Sequence, residues 1–190
     1  MLSLHILDTD VYYDVVLTSF SGGNDGAGFS WTRSRALIPG CTDPEAPNYD
    51  PRATVDHGFC GDWTFFYKRA GADSSYAKNQ DCLTSDVCIT RGDNQPLYNA
   101  ATESSWDLVT EDSPKGTQWA VGFTSDTTAA DYQDFIEMAE REPYALPQRR
   151  VSVHALGADT WYDIAFTKWE SSAIGGGFAY FRKDAPPPSE

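Results

Sequence analysis

Between Cys41 and Cys60 the chain places Asp43, Asn48, Asp50 and Asp56, four side chains with hard oxygen donors inside a loop that one disulfide would close. Calcium takes about six to eight such oxygens, so this segment is the best equipped by residue type to hold it, although the spacing is not that of an EF-hand. The same residue types also build turns by accepting hydrogen bonds from backbone two residues on. Asn24 and Asp25, in a glycine-rich stretch, are a weaker calcium candidate. Cys82 and Cys88 make a second sequence-local pair; four cysteines allow three pairings. Neither spacing is the CxxC of a zinc site, and His5, His57 and His154 are scattered, so two disulfides in an oxidising compartment are expected rather than a metal cluster.

Aromatic side chains offer a different chemistry. Trp161 and Trp169 alternate with apolar neighbours and are expected on the face opposite the core, where they would stack on sugar rings or pack under a neighbouring strand or subunit. Arg91, Gly92 and Asp93 spell the tripeptide that integrins read, but a turn is the expectation there. Catalytic signatures are thin. No G-x-S-x-G, H-E-x-x-H or Walker loop occurs, and the glycines at 175–177 lie between strands, where they close a hairpin rather than cradle a phosphate. Nothing singles out two of the acidic residues as the pair that a polysaccharide hydrolase needs. The expectation is a protein that is not an enzyme.

Charge narrows the partners. Twenty-eight acidic residues stand against fourteen basic ones, a formal net charge of -14, which repels nucleic acid and anionic membrane surfaces while permitting cations. No stretch approaches the roughly 18 apolar residues of a membrane span. The opening "MLSLHILDTD" lacks the basic start and apolar middle of a signal peptide, so a secreted form would be mature or part of something longer.

The elements that must position these residues begin with a repeat. At a constant offset of 149, Ser3, His5, Leu7, Tyr13, Asp14, Thr18, Gly26, Gly28, Phe29 and Arg33 fall on Ser152, His154, Leu156, Tyr162, Asp163, Thr167, Gly175, Gly177, Phe178 and Arg182. Each copy reads as two strands around a glycine-rich turn, with Tyr162, Ile164 and Phe166 in the period-2 pattern of a half-buried strand. Asp14 with Arg33, and Asp163 with Arg182, are the repeat's signature and would meet across each hairpin if the register allows. The fold class expected is all-β, a mainly antiparallel and jelly-roll-like β-sandwich with one short amphipathic helix and a small disulfide-stapled module. Short β-rich runs, "WTFFYKR", "VCITR", "SSWDLV" and "TQWAVGF", are separated by turn residues. Tyr132, Phe135, Ile136 and Ala139 recur at helical spacing within 127–142, with Asp131, Asp134, Glu137 and Glu140 on a solvated side. The segments are 1–34, a terminal hairpin; 35–61, the proline-rich stapled linker; 62–184, the sandwich; and 185–190, a stiff polar tail suited to a linker.

The stretch "GCTDPEAPNYDPRATVDHGFC" resembles the short Cys-Thr-Asp-Pro modules that recur as spacers in large secreted and cell-surface proteins of bacteria and algae. His57 stands where an acidic residue is usual, which weakens a cation role at that corner. Residues 63–183 resemble a repeat of secreted, multidomain microbial proteins through "NQD" at 79–81, "ITRG" at 89–92, "ESS" at 103–105, "WAVG" at 119–122 and "YDIAFTKW" followed by "GGGFAYFR". The resemblance implies an extracellular surface or matrix protein in which residues 1–34 close a preceding copy, and the Cys82 and Cys88 pair is this chain's addition.

An isolated hairpin is marginally stable in water, so residues 1–34 need a partner: the same chain's sandwich, a neighbouring molecule by strand addition, or neighbouring repeats of a longer chain. Head-to-tail strand addition generates a fibre. The function expected is a non-catalytic extracellular structural module of a filament, matrix or repeat protein whose partners are copies of itself. The rival is an adhesion module that binds glycans, with calcium.

Overall fold

β-Branched and aromatic runs build the strands, and short turns join those that pair as hairpins. The computed structural model describes residues 2–6, 11–22, 26–35 and 39–189. The fold is all-β and mainly antiparallel, and the chain separates into two compact units, residues 1–62 and 63–190.

In the first unit, β1 (Leu2–Ile6), β2 (Val11–Phe20) and β3 (Phe29–Arg35) form a three-stranded antiparallel meander. The terminal piece is thus three strands and not the two-stranded hairpin expected, because the Ser3-x-His5 alternation forms a strand of its own against β2. A short parallel pair, β4 (Pro39–Gly40) and β5 (Val55–Asp56), then holds the proline-rich segment, where Cys41 is bonded to Cys60.

The second unit is sandwich-like. β6 (Thr64–Lys68) is followed by β7 (Asp81–Cys82), β8 (Cys88–Arg91) and β9 (Leu97–Asn99), which form a small sheet with Cys82 bonded to Cys88 across it. β10 (Thr117–Val121), β11 (Arg150–Ala155), β12 (Thr160–Trp169) and β13 (Phe178–Ala185) run as a meander, and β6 completes this five-stranded sheet beside β13. Between the sheets lies one core. Leu83, Val87, Ile89 and Leu97 meet Trp119, Val153, Ile164, Phe166, Phe178 and Tyr180.

Two local expectations change. Residues 127–142 hold only one α-helical turn, α1 (Phe135–Met138), flanked by 3-10 turns. Trp119 and Gln133 exchange both backbone hydrogen bonds, at 2.7 and 2.9 Å, which holds the chain extended where a helix would need it coiled. Glu140 and Arg141 then adopt φ of 54° and 59°, which stops the helix. Tyr132, Phe135, Ile136 and Ala139 are nevertheless buried, and Asp131, Asp134, Glu137 and Glu140 exposed. The run "SSWDLV" forms turns rather than a strand, because Asp107 accepts hydrogen bonds from the Val109 and Thr110 amides at 2.8 and 3.2 Å. Glu103 anchors the same loop by accepting from Asn99 and Lys115 amides at 2.8 and 2.9 Å. The tail is also less free than a linker: Ser189 pairs with Thr128 and donates to the Thr127 carbonyl at 3.3 Å.

Candidate functional site

The sequence repeat is a repeat of strand register. Leu2 faces Val15 as Val151 faces Ile164, and Val15 faces Arg33 as Ile164 faces Arg182. Both copies carry an irregularity at the same place, between Leu17 and Ser19 and between Phe166 and Lys168, so Phe20 pairs with Phe29 as Trp169 pairs with Phe178. An added residue in one strand turns the following side chains to the other face. For this reason Trp169, expected opposite the core, lies on the core side, against Phe135, Phe166 and Phe178 with ring centroids 5.9–6.2 Å apart.

Residues 63–149 close the second copy. β10 pairs along β11 and β6 along β13, so neither outer edge of the β11–β13 meander is open. On the core face Phe178 and Tyr180 are 0% exposed. Asp81 accepts hydrogen bonds from Arg182 Nε and Nη2, at 2.7 and 3.0 Å, and from the Tyr180 hydroxyl at 2.8 Å. Burial, followed by the Asp81 charge beside it, pushes the Tyr180 phenol well above its ordinary range. Burial is the strongest single influence on Arg182 and works against its charge, but the hydrogen bond to Asp81 and the Asp81 charge, with smaller help from Tyr180 and Tyr162, together raise its pKa. The pairing of Asp163 with Arg182 does not form. Asp163 stands opposite Lys183, one residue away on a pleated strand, and points to the other face, where it accepts from the Thr124 amide at 2.8 Å and lies 3.6 Å from the Lys183 ammonium.

The first copy lacks this cover. Phe20, Phe29 and Trp31, counterparts of Trp169, Phe178 and Tyr180, are 80%, 65% and 44% exposed, and Leu17 is exposed as well. Val15 is buried. Arg33 lies over the Tyr13 ring, 5.0 Å from its centroid, and has no carboxylate partner among the described residues. Asp14 faces Ser34, so its expected pairing with Arg33 fails for the same reason of register. Among the described residues no further strand pairs with the outer edge of β1 or of β3. Among the described residues this leaves an apolar face flanked by two unpaired strand edges, a surface of the kind that binds a partner.

The remaining candidates are placed as follows. Within the Cys41–Cys60 loop, the Asp43 carboxylate accepts from the Glu45 amide at 3.0 Å, Asp50 from Arg52, and Asp56 from the Gly58 amide at 2.8 Å. Asn48 donates to the Phe59 carbonyl at 2.7 Å and accepts from the Gly61 amide at 2.9 Å. These are turn bonds, and among the described residues no three Asp, Glu, His or Cys side chains come together as a metal-holding group. Asn24 and Asp25 lie outside the described residues. Trp161 stacks on His154, centroids 3.7 Å apart, and borders a small cleft with Asp159, Thr160, Asp184 and Pro187. Arg91 of the integrin-like tripeptide is buried, with its guanidinium 4.1 Å over the Trp169 ring and a bond to the Gln95 carbonyl; burial lowers its pKa to about 10.

Sequence reasoning missed Lys68, fully buried on β6 with no hydrogen bond to its ammonium; burial lowers its pKa, opposed first by the charge of Asp93. Nothing in a lone lysine at a strand end signals this. It missed the Asp81–Arg182 pair too, because the partners are distant in sequence. No helix among the described residues is long and apolar enough to cross a membrane. No family model matches the chain, and neither does a curated protein or a solved structure.

Proposed function

We propose that this protein is a non-catalytic extracellular structural module that joins a surface filament, matrix or repeat array through the open meander β1–β3. One observation carries the reading: β1–β3 repeats the register of β11–β13 but leaves exposed the aromatic side chains whose counterparts are core. Two disulfides fit a secreted or extracellular setting. Bare apolar faces and strand edges drive association. Sizing and negative-stain microscopy test this on the full chain and on a chain without residues 1–35. The full chain should associate as concentration rises and the shortened chain should stay monomeric. Monomers of both at high concentration would sink the assembly reading.

A second reading, a glycan-binding adhesion module, is favoured by the half-exposed Trp161 at the mouth of its cleft. Glycan-array binding that disappears on Trp161→Ala would support it. Its calcium form would draw on Asp43, Asn48, Asp50 and Asp56, and insensitivity of that binding to EDTA would remove calcium from it.

A further inference from the structure

We propose that β1–β3 is closed by a polypeptide segment of the same kind as residues 63–149, the complementary half of another module, which adds a strand to each edge and brings a carboxylate to Arg33. The inference deepens the reading of β1–β3 as a joining surface and rests on it. The molecule contains its own template for such a fit. In the second copy, the half made of residues 63–149 supplies β10 to one edge and β6 to the other, Asp81 to Arg182, the Thr124 amide to Asp163, and a core that covers Phe178 and Tyr180. The first copy retains each group that this half recognises: outer edges with which no described strand pairs, Arg33, Asp14, and aromatic residues at 29 and 31. A second intact copy of this chain can meet β1–β3 only through weak, concentration-dependent contact of the bare face and edges, because its own 63–149 half is already closed by its own β11–β13.

Differences between the copies describe the occupant further. Leu17 replaces Phe166, Trp31 replaces Tyr180, and Ala27 replaces Gly176. A Cβ on Gly176 would stand 2.4 Å from the Asp93 carbonyl oxygen, so in the second copy only glycine fits there. Ala27, at φ 49°, already carries that Cβ. The occupant of the first copy therefore keeps the strands and the carboxylate of residues 63–149, but gives more room at the β2–β3 turn and around residue 31.

The test fuses a second copy of residues 63–149 ahead of Met1 in the full chain. Met1 aligns with Arg150, so the junction keeps native spacing. A companion version adds Leu17→Phe, Ala27→Gly and Trp31→Tyr, which restore the side chains the added half packs against in the second copy. Hydrogen exchange of the β1–β3 amides is the readout, with the β11–β13 amides of the same molecule as an internal control of folding. In the companion fusion, exchange on β1 and β3 should slow by about a hundredfold or more relative to the unfused chain. Asp81→Ala in the added half alone should return most of that protection. Amides of β1–β3 that exchange equally fast in the unfused chain and both fusions would overturn the proposal. So would protection in the unfused chain that rises with its concentration to match that of the companion fusion, which makes a second copy the occupant and leaves the structural-module reading standing. Protection in the companion fusion without any association of the unfused chain would uphold the proposal and count against self-assembly.

Discussion

The meanders β1–β3 and β11–β13 have the same registers, the same bulge and much of the same sequence, yet one is the centre of a core and the other an open face. Strand pairing within each is local: alternation sets the faces, a short glycine-rich turn sets the partner, and a bulge at Thr18 or Thr167 turns the last aromatic pair inward. Burial is not local. In β11–β13 it depends on residues 63–149, which supply the rest of that core. The same phenylalanine, Phe29 or Phe178, is therefore surface in one place and core in the other.

The strongest test of this contrast is a pair of identical truncations. Phe178→Ala should lower the stability of the 63–190 unit by about 3–5 kcal/mol, the usual loss for a fully buried aromatic, while Phe29→Ala should change the full chain by less than about 0.5 kcal/mol. Urea unfolding followed by hydrogen exchange on each meander separates the two; equal losses would mean that β1–β3 is already covered. A smaller difference is expected at the arginines. Arg182→Ala leaves the Asp81 carboxylate buried beside the Tyr180 hydroxyl and should cost about 3 kcal/mol, the low end for a broken buried pair because Arg182 keeps some contact with water. Arg33→Ala should have no measurable effect in the same assay, and a loss near that of Arg182→Ala would reveal a carboxylate partner.

The smallest effect sharpens the role of the covering half. Asp107 accepts two backbone N–H bonds, which hold its pKa down to about 2. A carboxyl lowered in the folded state supports its loop above the ordinary value of 3.8 and loses that support as pH falls through about 2. Between pH 4 and pH 2 the Val109 amide should lose exchange protection before β11–β13 does, and β1–β3, in the other unit, should show no matching step. Simultaneous loss across the whole unit would tie the 103–115 loop to the core more tightly than its exposure implies.

Much of the architecture was legible because it is periodic. The repeat at offset 149, the strands around Tyr162 and Phe166, and the buried set Tyr132, Phe135, Ile136 and Ala139 follow from alternation and spacing alone. The misreadings share one cause, which is a long-range contact that overrides a local pattern. Gln133 pairs with Trp119 and interrupts a helix that the apolar spacing implied. Glu103 and Asp107 bind backbone amides and convert "SSWDLV" from a strand into turns. A bulge at Thr167 moves Trp169 from the outer face to the core, and nothing in the one-dimensional alternation marks an added residue. The candidate site was legible as a repeated segment in need of a partner. Its exposed aromatic face and the Asp81 contact that Arg33 lacks were not, because both depend on residues far away in the chain.

By itself the sequence determined the strands, the repeat, the acidic charge and which cysteines lie near one another in the chain, since each depends on residue type and short spacing. Only the tertiary structure decided which of the two copies is closed, that Arg182 binds Asp81 rather than Asp163, and that the cation-like loop satisfies its carboxylates with backbone amides. Those outcomes rest on which surfaces meet. Two nearly identical strand patterns carry the same local instructions, and burial distinguishes them: Phe178 and Tyr180 are core, while Phe29 and Trp31 are exposed.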